Sequence, residues 1–130
     1  MRSLKLFVFL LIIFPNLIIS LSDSIRANDY LRALEALHKN DTTSAIILFK
    51  GLIKHNNDAL SNYELAKIYA GSSKLKDFSK AYNYINNAVN KDEKNINYKL
   101  LQAFLKEELF YSSPINKTYS NEAISLYEDI

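Results

Sequence analysis

The segments 44–52, 80–88 and 122–130 align without a gap, reading SAIILFKGL, KAYNYINNA and EAISLYEDI. Each places an alanine first (Ala45, Ala81, Ala123), large apolar or aromatic residues three and four positions on (Leu48 and Phe49, Tyr84 and Ile85, Leu126 and Tyr127), and an apolar residue at seven (Leu52, Ala88, Ile130). That spacing is one face of an α-helix, written three times. The small residue lets the backbone of a neighbouring helix approach, and the larger ones fill the groove beside it. Ala45, Ala81, Ala123, Phe49, Ile85 and Tyr127 are therefore the expected packing residues.

Each patterned helix has another before it: Ile25 to Leu37, Asp58 to Ala70, and Asn95 to Tyr111. Asp41 or Thr42, Asp58, Asp77 and Ser120 or Asn121 stand just ahead of apolar runs, where a side-chain oxygen can accept an orphan backbone N–H. Gly71 and Asn40 fall where the first helix of a pair should end, and both tolerate the left-handed conformation of a C-terminal cap. The chain holds only two glycines and two prolines in 130 residues and is 48% hydrophobic, so it is neither loop-rich nor disordered. The expectation is an all-α fold of three stacked antiparallel helical hairpins, about 24–56, 58–91 and 95–130, forming a short right-handed α-solenoid. With no cysteine, such a fold is held by packing alone.

The first 22 residues read differently. Arg2 and Lys5 precede an apolar run from Leu6 to Phe14, Pro15 and Asn16 break it, and Ser20-Leu21-Ser22 supplies small residues two apart. This is the plan of a secretory signal with cleavage after Ser22. An uncleaved anchor is the alternative, because Leu4 to Leu21 approaches the roughly 17–20 residues of a spanning helix; membrane contact is expected only in that case. The signal holds two of the 16 basic residues and none of the 14 acidic ones, so 14 of each remain and the mature chain, residues 23–130, is neutral. A neutral surface argues against nucleic acid, which needs a clustered basic footprint. The nearest approach to one, Lys74, Lys76 and Lys80, is interrupted by Asp77 and reads as a solvated loop.

Leu65-Ala66, Tyr69, Gly71, Asp77, Lys80-Ala81 and Ala88 resemble the pattern of Sel-one-like repeats, the longer-looped relatives of tetratricopeptide repeats. The repeated alanines lie 36 and 42 residues apart, against about 34 in a tetratricopeptide unit. The first hairpin, with Ala33, Ala36, Asn40, Ala45 and Phe49, resembles a plain tetratricopeptide repeat. Ala66 stands where the family often has glycine, and the second loop glycine is missing. The resemblance spans about residues 28–130. It implies a non-catalytic scaffold that binds other proteins on an extended concave surface and needs no cofactor. A luminal member is similar to the adaptor subunit of the ubiquitin ligase complex in endoplasmic reticulum-associated degradation; exported bacterial Sel-one-like proteins, periplasmic ones with an envelope partner, resemble the chain as well. Two acceptor sequons, at Asn40 and Asn116, fall in interhelical loops that would accommodate a glycan if the source is eukaryotic.

In hairpins of this type the first helix lines the concave face, where Tyr30, Tyr63 and Tyr98 recur 33 and 35 residues apart, with Lys67 and Gln102 one turn on from the last two. They are the candidate partner-binding residues, offering rigid amphipathic contact area; tyrosines packed between helices are the alternative. Catalysis has little support. His38 and His55 each end a helix, where a cation suits the dipole, and Glu107-Glu108 and Asp92-Glu93 are sequence neighbours that point apart on a helix. No phosphate-cradling loop, nucleophile signature or His-x-x-x-His spacing is present. A small metal-dependent enzyme using the two histidines remains the reading from another class. Finally, Ala123, Ile124, Leu126, Tyr127 and Ile130 give the last helix more apolar surface than one preceding hairpin can cover. Further repeats, a dimer mate or another subunit are expected to bury it.

Overall fold

A computed structural model describes residues 15–112 and 117–130, with side chains from 21–112 and 122–130. Six α-helices and no strand occur among the described residues: α1 (Pro15–His38), α2 (Thr42–Asn56), α3 (Ala59–Gly71), α4 (Phe78–Lys91), α5 (Ile96–Ser112) and α6 (Lys117–Glu128). The protein is all-α. Residues 1–14, with the basic residues and first apolar run of the expected export signal, and Asn116 of the second sequon lie outside the described residues.

Local chemistry sets most helix ends. Asp41, Asp58 and Asp77 stand at the N-caps of α2, α3 and α4, their carboxylates accepting from the backbone N–H of Ser44 (3.1 Å), Ser61 (2.7 Å) and Lys80 (2.8 Å). Asn95 does the same for α5, accepting from the Tyr98 N–H at 3.3 Å. At the end of α1, Asn40 takes the left-handed conformation (φ 60°), its N–H bonds Leu37 O and the Asp41 N–H bonds Ala36 O. Those two bonds are a Schellman closure, with asparagine where glycine is commonest.

Three expectations are corrected. Gly71 is not a left-handed cap: its φ is negative, it is the last residue of α3, and the extended Ser72 caps the helix with its N–H on Ile68 O. The chain can leave α3 in an extended conformation because Asp77 N–H reaches back to Tyr69 O and the Ser72 hydroxyl accepts from Leu75 N–H. A second left-handed residue is instead Asn57 (φ 46°), in the two-residue turn joining α2 to α3. Helix α1 spans Pro15–His38 rather than beginning at Ile25; proline is well suited to a first helical turn, which needs no N–H donor. Helix α6 begins at Lys117, so Ser120 and Asn121 lie inside it rather than ahead of it.

Successive helices pack on one another from α1 to α6, and α3 also meets α5. The core alternates large and small. Phe49, Leu65, Ile85 and Leu105 are fully enclosed in one cluster with Ala33, Ala45, Ala66, Ala81 and Ala88, also fully enclosed. Alanine methyls at those contacts let helices close in without a void, which is where packing density comes from. Aromatic pairs join the elements. Tyr30 meets Phe49 edge-on (centroids 5.7 Å apart, α1 to α2), Tyr69 stacks on Tyr84 (5.8 Å, α3 to α4) and Phe78 meets Phe104 edge-on (6.4 Å, α4 to α5). Lys80 lies over the Tyr69 ring at 4.8 Å, and Lys76 over Phe78 at 5.6 Å. Lys80 lies in the first turn of α4 rather than in the expected loop, and two of the three lysines therefore cover aromatic rings.

Of the six expected packing residues, Ala45, Ala81, Ala123, Phe49 and Ile85 are buried. Tyr127 is the exception at 43% exposed. Its equivalents Phe49 and Ile85 sit on helices packed on both sides, whereas α6 packs on α5.

Candidate functional site

Helix α3 is the most enclosed element. Its buried residues, Ser61, Asn62, Glu64, Leu65, Ala66, Ile68 and Tyr69, run round the whole helix rather than along one stripe, as suits a helix flanked on several sides. Among them Glu64 is the single acidic residue within α3. A buried carboxylate requires partners, and it has two. Tyr30 on α1 donates its hydroxyl to Oε1 at 3.4 Å, and Lys67, one turn along α3, lies with Nζ 2.8 Å from Oε2 and 3.0 Å from Oε1. Lys67 itself is about half exposed, and its Nζ also sits 4.9 Å from the centroid of the Tyr63 ring. The Tyr63 ring meets that of Tyr98 on α5 at 4.9 Å.

The three tyrosines are thus linked through α3, but they are not equivalent. Tyr30 and Tyr63 are half-buried, while Tyr98 is 5% exposed and belongs to the core. Burial, reinforced by the Glu64 carboxylate, raises the Tyr30 hydroxyl well above the usual tyrosine range. Burial is also the main cause of the upward shift at Tyr98, followed by the charge of Asp92. Gln102 is not part of this group: its amide donates to Asn86 Oδ1 at 2.7 Å, tying α5 to α4.

The structure adds residues that the tyrosine spacing does not reveal. Glu64, Lys67, Leu34, Leu37, Thr42, Ile68, Gly71 and Ser72 line an open cleft of about 430 Å³ between α1 and α3. On the other side of the Tyr30–Glu64 bond, a second cleft of about 360 Å³ is lined by Asp23, Arg26, Ala27, Tyr30, Leu52, Asp58 and Leu60. The sequence signal for this is Glu64, the single acidic residue of α3, with Lys67 one turn on. Asn62, fully buried, holds the floor of α3: its amide donates to Asp58 O at 2.8 Å and to Asn57 Oδ1 at 3.3 Å, and it accepts from Asn87 Nδ2 at 3.4 Å. The left-handed turn at Asn57 is thereby tied to α3 and α4.

What this arrangement offers chemically is recognition. The α1/α3 cleft holds a buried carboxylate beside a half-exposed ammonium, so a cationic or hydrogen-bonding group entering it would meet Glu64, and leucine and isoleucine walls would meet an apolar one. Among the described residues no group of three His, Cys, Asp or Glu side chains is placed to hold a metal ion, and no helix is long and apolar enough to cross a membrane. His38 ends α1 and His55 lies in the last turn of α2. The chain matches no known family model, no curated protein and no solved structure.

Proposed function

We propose that the protein is a non-catalytic scaffold that binds an extended or helical segment of another protein across α1 and α3. The observation that carries this reading is the cleft in which Glu64 and Lys67 are framed by Leu34, Leu37 and Ile68, with the half-buried Tyr63 ring beside Lys67. Stacked helical hairpins in a short right-handed solenoid, of the Sel-one-like and tetratricopeptide type, are the architecture we infer. Its support is the burial of Leu65, Ala66, Tyr69, Ala81 and Ala88, residues that carry the resemblance, and the packing of the first helix of one pair, α3, on that of the next, α5.

The compartment we infer is the lumen of the secretory pathway, or the periplasm in a bacterial source, from the basic and apolar plan of the first 22 residues. Asn40 is exposed at a tight turn, a position open to a glycan. An adaptor role within a luminal degradation complex is the more specific form of this reading.

Panning an unbiased displayed-peptide library on the full chain tests the site. Selected peptides are expected to lose binding on Lys67→Glu or Leu34→Asp while the variants keep their helical signal. Peptides that bind all three chains alike would overturn the α1/α3 cleft as the site.

A further inference from the structure

Helices α2, α4 and α6 carry the same apolar pattern but do not bury it equally. On α2, Ala45, Phe49 and Leu52 are buried, with α3 packed on the helix; on α4, Ala81, Ile85 and Ala88 are buried, with α5 packed on it. On α6, Ala123 is buried, yet Tyr127 and Ile130, the equivalents of Phe49 and Leu52, are each 43% exposed and Ile124 is 54% exposed. The surface that α2 and α4 give to the first helix of the next pair is open on α6.

The complementary surface lies on the first pair. An open groove of about 430 Å³ between α1 and α2 is walled by Ile25, Ile47, Leu48 and Leu52, with Arg26, Asp29 and His55 among its polar residues. Ile25 is 57% and Ile47 65% exposed, an apolar exposure that isolated surface residues do not account for. The charges match as well. Helix α2, one wall of the groove, contains no acidic residue and shows Lys50, Lys54 and His55 to solvent, whereas the end of α6 and the residue after it carry Glu128 and Asp129; Lys117 lies at the opposite end of α6, and Glu122 is already paired with Lys106. Asp23 and Asp29 on α1 are each paired with an arginine one turn on, Arg26 and Arg32.

We propose that α6 of one copy docks in the α1/α2 groove of a second copy, continuing between molecules the packing of a second helix on the next first helix that operates within one. Such a contact joins two different surfaces, so it repeats head to tail rather than closing as a symmetric pair. It is separate from the α1/α3 cleft and stands whether or not that cleft binds a partner.

Sedimentation velocity of the full chain over a range of concentrations tests the proposal. The wild type is expected to grow in mass with concentration, while Ile47→Glu and Ile124→Glu, both at exposed positions, each remain monomeric. Mixed, the two variants should form a one-to-one dimer that grows no further, because one keeps a free α6 and the other a free groove. If either variant fails to fold, the exchange of charges in Arg26→Glu, at the groove wall, and Asp129→Lys reads the same contact, each weakening growth alone and the mixture recovering it. A wild type that stays monomeric at all concentrations overturns the proposal. So does growth that survives Ile47→Glu, as association through residues 1–14 or through α6 against α6 would, or a mixture that does not pair.

Discussion

The hydroxyl of Tyr30 on α1 points at Glu64 Oε1 on α3, 3.4 Å away, and burial raises the energy of ionising it. The bond is long for an O–H donor, so its weight lies in orientation and in the cost of placing a phenolate beside a carboxylate. With the folded pKa above the ordinary value of 10.0, this contribution is intact below pH 10 and is lost as pH rises beyond it. Urea melts at neutral and alkaline pH should show the wild type losing stability more steeply above that point than Tyr30→Phe. Tyr84, Tyr98 and Tyr127, shifted the same way chiefly by burial, leave a residual slope in the variant. Equal alkaline slopes would show that Tyr30 and Glu64 are not coupled.

Tyr63 and Tyr98 touch, yet their truncations should separate. Tyr98→Ala empties a core site and is expected to cost about 3–5 kcal/mol, as large aromatic deletions do. Tyr63→Ala, at a half-buried ring, should cost less and reduce binding of peptides selected on the wild type. If Tyr63→Ala keeps those peptides and loses stability as heavily as Tyr98→Ala, Tyr63 is a core residue only.

Gly71 and Asn40 should respond oppositely to alanine. A methyl at Gly71 meets nothing within 4 Å and φ is already negative, so Gly71→Ala is expected to stabilise by about 0.4–1 kcal/mol through the unfolded chain. Asn40 at φ 60° should lose roughly 1 kcal/mol on replacement by alanine and gain on replacement by glycine. Thermal melts of the three variants settle the signs. A destabilised Gly71→Ala would contradict the helical placement of that residue.

Export predicts a mature N-terminus at Asp23, readable by N-terminal sequencing of the purified protein. In a eukaryotic host, glycosidase treatment should increase its mobility. An intact Met1 in the membrane pellet would identify an anchor instead.

Protection against hydrogen exchange should be lowest in α6 in a dilute sample. Lys106 ties α6 to the rest: its ammonium meets Glu122 and lies 5.6 Å from the centroid of the Tyr82 ring. Burial alone would lower the Lys106 pKa, and the bonds to Glu122 and Tyr82 more than offset it. That contact and the Tyr127 hydroxyl's bond to Glu107 Oε2 at 3.4 Å both run to α5 and do not replace a packed second side, so residues 122–130 are expected to exchange before α3 and α4. Equal protection in a strict monomer would show that α5 alone holds α6.

The sequence by itself determined what is local or periodic. Asp41, Asp58 and Asp77 were legible as caps because a cap needs only an oxygen and an N–H three residues away, and Asn40 as a left-handed turn because few residues accept it. The burial of Ala45, Ala81 and Ala123 followed from period and size. Tertiary structure decided what depends on neighbours distant in the chain. Gly71 looked like a cap, but the six-residue connection to α4 closes through Ser72 and Asp77 without a left-handed residue. Tyr98 carries the same spacing as Tyr30 and Tyr63, but α3 covers it. Gln102 turns to Asn86 on α4, and Glu64, ordinary in the sequence, becomes the centre of a cleft because Tyr30 approaches it from 34 residues away. Period fixes which face of a helix is apolar; how much of that face meets solvent is set by which other helices arrive there, through contacts no local pattern records.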